Sequence, residues 1–385
     1  MYLDHAATAF PRPDCVLDAV LTWLRRGGSA GRGGHSAALH ASSLLLQTRV
    51  ALAEFLHAAG PQSVLFTAGC TASLNTVLLG LLQAGDHVVA SELDHNSVLR
   101  PLQHLQGTRG ISVQHLPFNP DSGLLNPDDL RHALQRTPAR LVVLTHASNV
   151  TGRIQDIRTL TRIAHEHQAL VLLDAAQTVG HWPCSLPELN VDFLAAAAHK
   201  GLAGPPGIGF LVAAPDHQEL LQPLLFGGTG TDSTSLDQPA DSPARFESGT
   251  ANLPAIAGLL AAVHLAQNTL HERHAANIRN SRLLASGLAE IPGLRLLSPG
   301  APEQNCGIVS FVLDGLDPAE VAGILDQSFD IQCRAGLHCA PLAHQRLGTL
   351  QTGGAIRLSP GWSTTEAEIT AAVDAVRQIA QALPE

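Results

Sequence analysis

Lys200 is the only lysine in a chain of 385 residues, and arginine supplies every other permanently charged cationic side chain. An amine can give up its proton near neutral pH once water is stripped from it, whereas a guanidinium cannot. A single lysine kept among arginines therefore suits covalent chemistry on a carbonyl compound. On the count alone it could equally be a surviving surface cation. Its segment, HKGLAGPPGIG, follows an apolar run and opens a Gly/Pro loop, surroundings that would desolvate the amine. Asp174 ends the run ALVLLDAAQ. A carboxylate at the C-terminal end of a parallel strand points into the crevice where α/β sheets bind ligands. There it can keep a pyridine nitrogen protonated so that the ring accepts electrons, or it can simply cap the next helix. Gln177, three residues on, is within reach of an oxygen on the same ring.

Further segments have chemical potential of their own. In FTAGCTASLN a strand turns tightly into a helix, so the backbone N–H groups of Gly69, Cys70 and Thr71, with the Thr71 hydroxyl, could cradle a phosphate. A plain helix cap is the alternative. His95, in SELDHNSV, could lay its ring over an aromatic ligand, although any one of 20 histidines is more often a packing residue. Cys339 lies in RAGLHCAPLAH between Arg334, His338 and flanking Gly and Pro, where a flexible loop near ionisable groups favours thiolate. The other cysteines (Cys15, Cys70, Cys184, Cys306, Cys333) are widely spaced, lack a CxxC, and read as small buried apolar groups. Arg357, in GGAIRLSPGW, would suit bidentate capture of a carboxylate, with a surface ion pair as its rival reading.

These side chains need a scaffold that brings distant segments together. Short apolar runs at 63–68, 87–92, 111–118, 140–148, 169–176 and 207–213 alternate with helical periodicity. Such alternation predicts β/α units around a mostly parallel sheet buried on both faces. The pattern predicts a large α/β domain over about 15–250, preceded by a segment 1–14. A polar stretch, 226–250, is then either a working loop or a linker. Beyond it a long helical pattern, Leu259 to about Ala289, leads into LRLLSP, GIVSFVL and AIRLSP, which predicts a smaller α+β domain over 251–385. The early GGSAGRGGHSAA stretch, with Arg32 and His35, is either a lid near the site or a flexible turn.

The bulk composition excludes several classes. A hydrophobic fraction of 45% with 15% charged residues fits a packed globule. A formal charge of −10, with its cations scattered, argues against a nucleic-acid partner. The first residues do not read as a signal peptide, and no run reads as an apolar membrane span, so no membrane association is expected. Unpaired cysteines without a framework suit the reducing cytoplasm.

Taken in order, YLDHAAT from Tyr2, DAAQTVGHWP, the HKG…GPPGIG run, RFESGTANLP, RAGLHCAP and PGWSTTEAEI span nearly the whole chain. With them the chain resembles the class V, fold-type I pyridoxal-phosphate enzymes, most of all the cysteine desulfurases and selenocysteine lyases. The resemblance implies a large domain with a seven-stranded type of sheet, pyridoxal 5′-phosphate as cofactor, and conversion of L-cysteine to L-alanine. Selenocysteine lyase, another carbon–sulfur lyase and a class V aminotransferase are the alternative activities. It also implies roles for matching positions. Lys200 would bond the cofactor aldehyde and later move the Cα proton, while Asp174 pairs with the ring nitrogen and Gln177 with the ring hydroxyl. His95 would stack on the ring, and Cys70, Thr71 and His199 would hold the phosphate. Thr250 would be lent by a partner subunit, implying a homodimer. Asn149 and Arg357 would position the amino acid, and Cys339 would take its sulfur as a persulfide for a sulfur-acceptor protein. Two positions depart from the pattern: Ala197 stands where a Ser or Thr is usual, and Ala72 where an acidic residue is usual.

Overall fold

The computed structural model describes residues 1–31, 33–231 and 234–382; Arg32 lies outside them. A seven-stranded sheet forms the centre, built from β1 (Val64–Thr67), β2 (His87–Ser91), β3 (Ser112–Leu116), β4 (Leu141–Thr145), β5 (Leu170–Asp174), β6 (Phe193–Ala197) and β7 (Gly209–Ala213). Their order is β1-β7-β6-β5-β4-β2-β3. Only β7 runs against its neighbours, β1 and β6. All six expected runs contain strands of this sheet. The seventh strand, β6, arises from VDFLAAAAH, where three alanines give weak strand propensity. Burial overrides that propensity, since all five of its residues are buried between helical layers.

The core explains why β4 and β5 are almost wholly apolar. Leu144 and Leu173 pack into the cluster on one face, Leu141 and Leu172 into that on the other, all 1% exposed or less. Burying each such side chain stabilises the fold by about 1.5–3 kcal/mol. The strands therefore end where polar side chains can first meet a cavity, at Thr145 and Asp174. Gly209 lets the turn before helix Cys70–Leu81 sit directly against β7: a Cβ there would lie 2.7 Å from Gly69 Cα.

A second, antiparallel sheet has the order β10-β11-β9-β8, from β8 (Leu294–Leu296), β9 (Val309–Leu313), β10 (Arg334–Gly336) and β11 (Ala355–Leu358). Between the sheets runs helix Leu253–Ala289. Its first half, from Leu253 to Ala266, belongs to the large core, and Leu284 and Leu288 belong to the small one. Contrary to the reading of the sequence, this helix is long and apolar enough to match a membrane span. It instead packs against helices Asp14–Arg26, Ser36–Leu56 and Glu366–Gln381. It also buries Arg273, whose guanidinium donates to the Gly180 and Gly201 carbonyls. The N-terminal segment lies along the second sheet, pairing Tyr2 with Gln332 and Asp4 with Ser359. His35 is the N-cap of helix Ser36–Leu56, its ring accepting from Ala38 N at 3.4 Å.

Candidate active site

The C-terminal ends of β2, β4, β5 and β6, the turn before helix Cys70–Leu81 and the strands β10 and β11 enclose a cavity of about 660 Å³. Nine of the eleven residues singled out from sequence line it: Cys70, Thr71, His95, Asn149, Asp174, Gln177, His199, Lys200 and Arg357. The sheet topology delivers them, since parallel strands end on one side and their following loops converge there.

Lys200 lies three residues beyond β6. Burial lowers its pKa, opposed by the nearby Asp174 carboxylate and assisted by Arg357 and Arg334. The amine is therefore easier to deprotonate than an ordinary lysine. Asp174, 7% exposed, closes β5 and accepts from Ala176 N at 2.9 Å and from the Cys70 thiol at 3.5 Å. Burial, with Asp174 second, drives the Cys70 thiol well up, so it remains a neutral donor. Gln177 donates from Nε2 to Ala6 O at 3.1 Å. His199 is pushed down to about 4 by burial, aided by Lys200. Its turn is clasped by the N-terminal segment, with Ala9 N donating to His199 O and Thr8 Oγ1 3.2 Å from the ring Nδ1.

The opposite wall is a hydroxyl–imidazole relay. Ser97 N–H donates to His95 Nδ1 at 3.0 Å, so the proton of the neutral ring is on Nε2. Burial holds His95 below its ordinary pKa, against the pull of Asp174. Ser97 Oγ lies 2.9 Å from His95 Nδ1 and 2.8 Å from Thr71 Oγ1. Behind it, Asp94 is fully buried, and burial raises its carboxyl to about 7 despite hydrogen bonds from Thr145 and Ser91. Helix Cys70–Leu81 has no side-chain cap, so its first N–H groups are free to meet an anion at the cavity.

Two predicted residues lie elsewhere. Thr250 is exposed and does not line the cavity. Cys339 is half-buried beside it, with Arg334 Nη2 3.9 Å from its sulfur. The loop that carries it is short: four residues join β10 to helix Pro341–Arg346, and polar contacts meet them. Asn96 N donates to Cys339 O at 2.7 Å and Asn149 Nδ2 to His338 O at 2.6 Å. The His338 ring stacks on His344, which bonds Thr349 at 2.8 Å. Both His338 (φ 48) and Cys339 (φ 59) adopt the left-handed conformation, which costs non-glycine residues about 1–3 kcal/mol each and persists only when such contacts hold it.

Sequence reading missed Asp4, Ser97 and the part Arg334 plays in the cavity. Asp4 Oδ1 receives Arg357 Nη2 at 2.8 Å, and Arg334 stands opposite Arg357 in the β10–β11 register. Ser97 carried a signal, as it lies two residues after His95 at a helix start; Asp4 sits in the motif YLDHAAT, but nothing there points to its partner 353 positions away.

Comparison with known proteins agrees with this architecture. The family model described as aminotransferase class-V matches residues 1–372. A probable cysteine desulfurase of Methanothermobacter thermautotrophicus is 34% identical over 99% of this chain and 94% of its own length. A cysteine desulfurase of Dickeya dadantii is 34% identical over 90% of this chain and 84% of its own. Among solved structures, the apo cysteine desulfurase of Thermococcus onnurineus superposes with a TM-score of 0.93 at 30% identity, covering 100% of this chain and 95% of that one. The Escherichia coli cysteine desulfurase CsdA gives 0.88 at 28% identity over 100% and 95% of the two chains. This chain belongs to the class-V aminotransferase family, in its cysteine desulfurase branch.

Proposed function

We infer that this chain is a pyridoxal-phosphate-dependent cysteine desulfurase that converts L-cysteine to L-alanine and holds the sulfur on Cys339 as a persulfide. One observation carries the reading. The sole lysine, a strand-end carboxylate and an uncapped helix start share one cavity, and a cysteine stands beside it against Arg334.

The residues present fit the cofactor. Its phosphate would take the N–H groups of Cys70 and Thr71, the Thr71 hydroxyl and the neutral His199 ring. Its ring nitrogen would take Asp174, its ring hydroxyl Gln177, one ring face His95, and its aldehyde Lys200. Ala197 and Ala72 offer no polar side chain, but Ser97 brings a further hydroxyl to Thr71. When bound, the cofactor supplies an electron sink that makes the substrate Cα–H acidic.

The chain's own groups do the rest. Arg357 binds the substrate carboxylate, with Asn149 beside it. The Lys200 amine, neutral more readily because it is buried, takes the Cα proton. The Cys339 thiolate attacks the substrate sulfur, so a sulfur–sulfur bond forms as the substrate's carbon–sulfur bond breaks. The carbon fragment takes up protons and leaves as alanine.

A homodimer completes this reading. Leu17, Leu21 and Leu24 form an exposed stripe on helix Asp14–Arg26, near exposed Phe10, and Leu225 and Phe226 are also exposed. Apolar exposure on this scale suits a second copy of the chain, which would bring Thr250 to the neighbouring site. A sulfur-acceptor protein would meet the persulfide at Cys339, which is half-buried beside the cavity. We assign the cytoplasm, where six unpaired cysteines stay reduced.

The test is incubation with L-cysteine followed by mass analysis. The peptide carrying Cys339 should gain one sulfur atom. Cys339→Ser should keep the cofactor's absorbance yet release no sulfur from cysteine, and release at the unsubstituted rate would refute the assignment.

A further inference from the structure

Arg357 reaches the cavity from β11 with only 1% of its surface exposed. Two of its nitrogens are already held. Nη2 donates to Asp4 Oδ1 at 2.8 Å and Nη1 to Asn149 O at 3.0 Å, while Nε is buried with no partner among the described residues. An arginine head on a flexible stem can swing and roll, but two fixed contacts on different nitrogens define the plane of the guanidinium. A planar fork recognises a carboxylate only when that plane is set in advance.

Asp4 is well placed to set it. The backbone around it is bound to the second sheet without help from its side chain: Leu3 N donates to Gln332 O, His5 N to Ser359 O, and Ser359 N to Leu3 O. The Asp4 carboxylate is thus free to serve Arg357. Arg334, opposite Arg357 across the β10–β11 pair, adds a second positive charge that would otherwise push on the guanidinium. Burial lowers the Arg357 pKa, and Asp4 is the leading influence that opposes this, so the carboxylate also keeps the head charged.

We propose that Asp4 is a positioning residue for the α-carboxylate of the amino-acid substrate, fixing the Arg357 fork through Nη2 so that its remaining N–H groups face the ligand. The proposal rests on the reading above in which Arg357 is the carboxylate anchor. It gives the N-terminal segment a part in substrate recognition, separate from its clasp on the His199 turn.

The experiment uses the cofactor-loaded enzyme and three variants: Asp4→Ala, Asp4→Asn and Arg357→Gln. For each, KM and kcat for L-cysteine, the Kd of L-alanine from the absorbance change of the bound cofactor, cofactor occupancy and melting temperature are measured. Asp4→Ala should raise KM and the alanine Kd by about tenfold, change kcat less than about threefold, and leave occupancy intact. Asp4→Asn keeps an acceptor oxygen and should recover most of the affinity. The idea is overturned if Asp4→Ala leaves both constants unchanged while Arg357→Gln raises them, because Arg357 then orients itself. It is equally overturned if Asp4→Ala lowers occupancy, melting temperature and kcat together, which is the mark of a structural role. If Arg357→Gln itself changes neither constant, the anchor assignment fails and the proposal falls with it.

Discussion

Lys200 follows a strand whose five residues are all buried, in the middle of a sheet covered on both faces. Cys339 stands on a four-residue connection that takes hydrogen bonds from Asn96 and Asn149 and stacks His338 on His344, contacts that hold two left-handed residues in place. One reactive group is thus mounted on apolar packing, spread over many side chains, and the other on a few polar contacts. Packing of the first kind resists single substitutions; contacts of the second kind can be removed one at a time. The proton-handling end of the cavity should be the stiff end, and the sulfur-handling end the one that mutation can loosen without unfolding the protein.

The largest break in that contrast is at the stiff end. Lys200→Arg keeps a cation but removes the amine that can deprotonate, so alanine formation should fall by about three orders of magnitude or more. Borohydride should then fix no label to the peptide carrying residue 200. Retained labelling there would contradict the assignment of Lys200.

Next is the mount of Cys339. Asn149→Ala deletes the donor to His338 O and should slow sulfur uptake by Cys339 about tenfold, the effect of about 1–1.5 kcal/mol from one hydrogen bond. Single-turnover mass analysis reads the uptake, and KM separates this from a direct contact with substrate. A raised KM with unchanged uptake would leave Asn149 its place at the substrate and remove it from the mount of Cys339.

Much of the stiff end was legible in the sequence. The six strand runs, the strand-end Asp174, the lone Lys200 and the turn at Cys70 follow from local pattern, because a parallel sheet gathers strand ends by its topology alone. What stayed hidden depends on partners far apart in the chain or on burial overriding propensity. β6 was obscured by its alanines, and Asp4 gives no sign of Arg357. The firmness of the Cys339 connection rests on Asn96, Asn149 and His344, which no spacing around Cys339 reveals. Gly and Pro near a cysteine suggest a loop, and here they bound a four-residue link that also takes contacts from Asn96, Asn149 and His344.

Acid should show as a change in stability at both ends, since buried histidines are held low beside the strand ends and beside Cys339 alike. His146 is buried behind the strand ends, bonded to Thr178 at 2.9 Å, and burial alone lowers it to about 4. His181 is likewise held near 4. Above an ordinary histidine pKa of about 6.5 neither the folded nor the unfolded chain protonates these rings. As pH falls from there toward 4 the unfolded chain gains protons that the folded chain refuses, so stability declines by up to about 1.4 kcal/mol per pH unit for each ring. Below 4 both states are protonated and the loss levels off. Chemical denaturation across this window should show the decline, and His146→Gln should flatten it by one histidine's share. An unchanged slope in that variant would mean that His146 titrates normally in the folded protein.

The smallest effect is expected at the outer edge of the Cys339 mount. Arg346, on the helix that follows Cys339, makes a two-point ion pair with Glu92 at 2.6 and 2.9 Å, joining that helix to the loop that carries His95. The pair is partly exposed, and such pairs contribute about 0–1 kcal/mol. Glu92→Gln should therefore slow sulfur uptake by less than about fivefold, and added salt should reduce the difference between variant and parent by screening the pair. The Asn149 effect should hardly respond to salt, because its hydrogen bond is buried. If Glu92→Gln slowed uptake as much as Asn149→Ala, the mount would be governed by the surface pair rather than by the buried contacts. If neither variant changed uptake, the contacts of Asn149 and Glu92 would be incidental to the placement of the thiol, and the buried His338–His344–Thr349 group would be left to hold it.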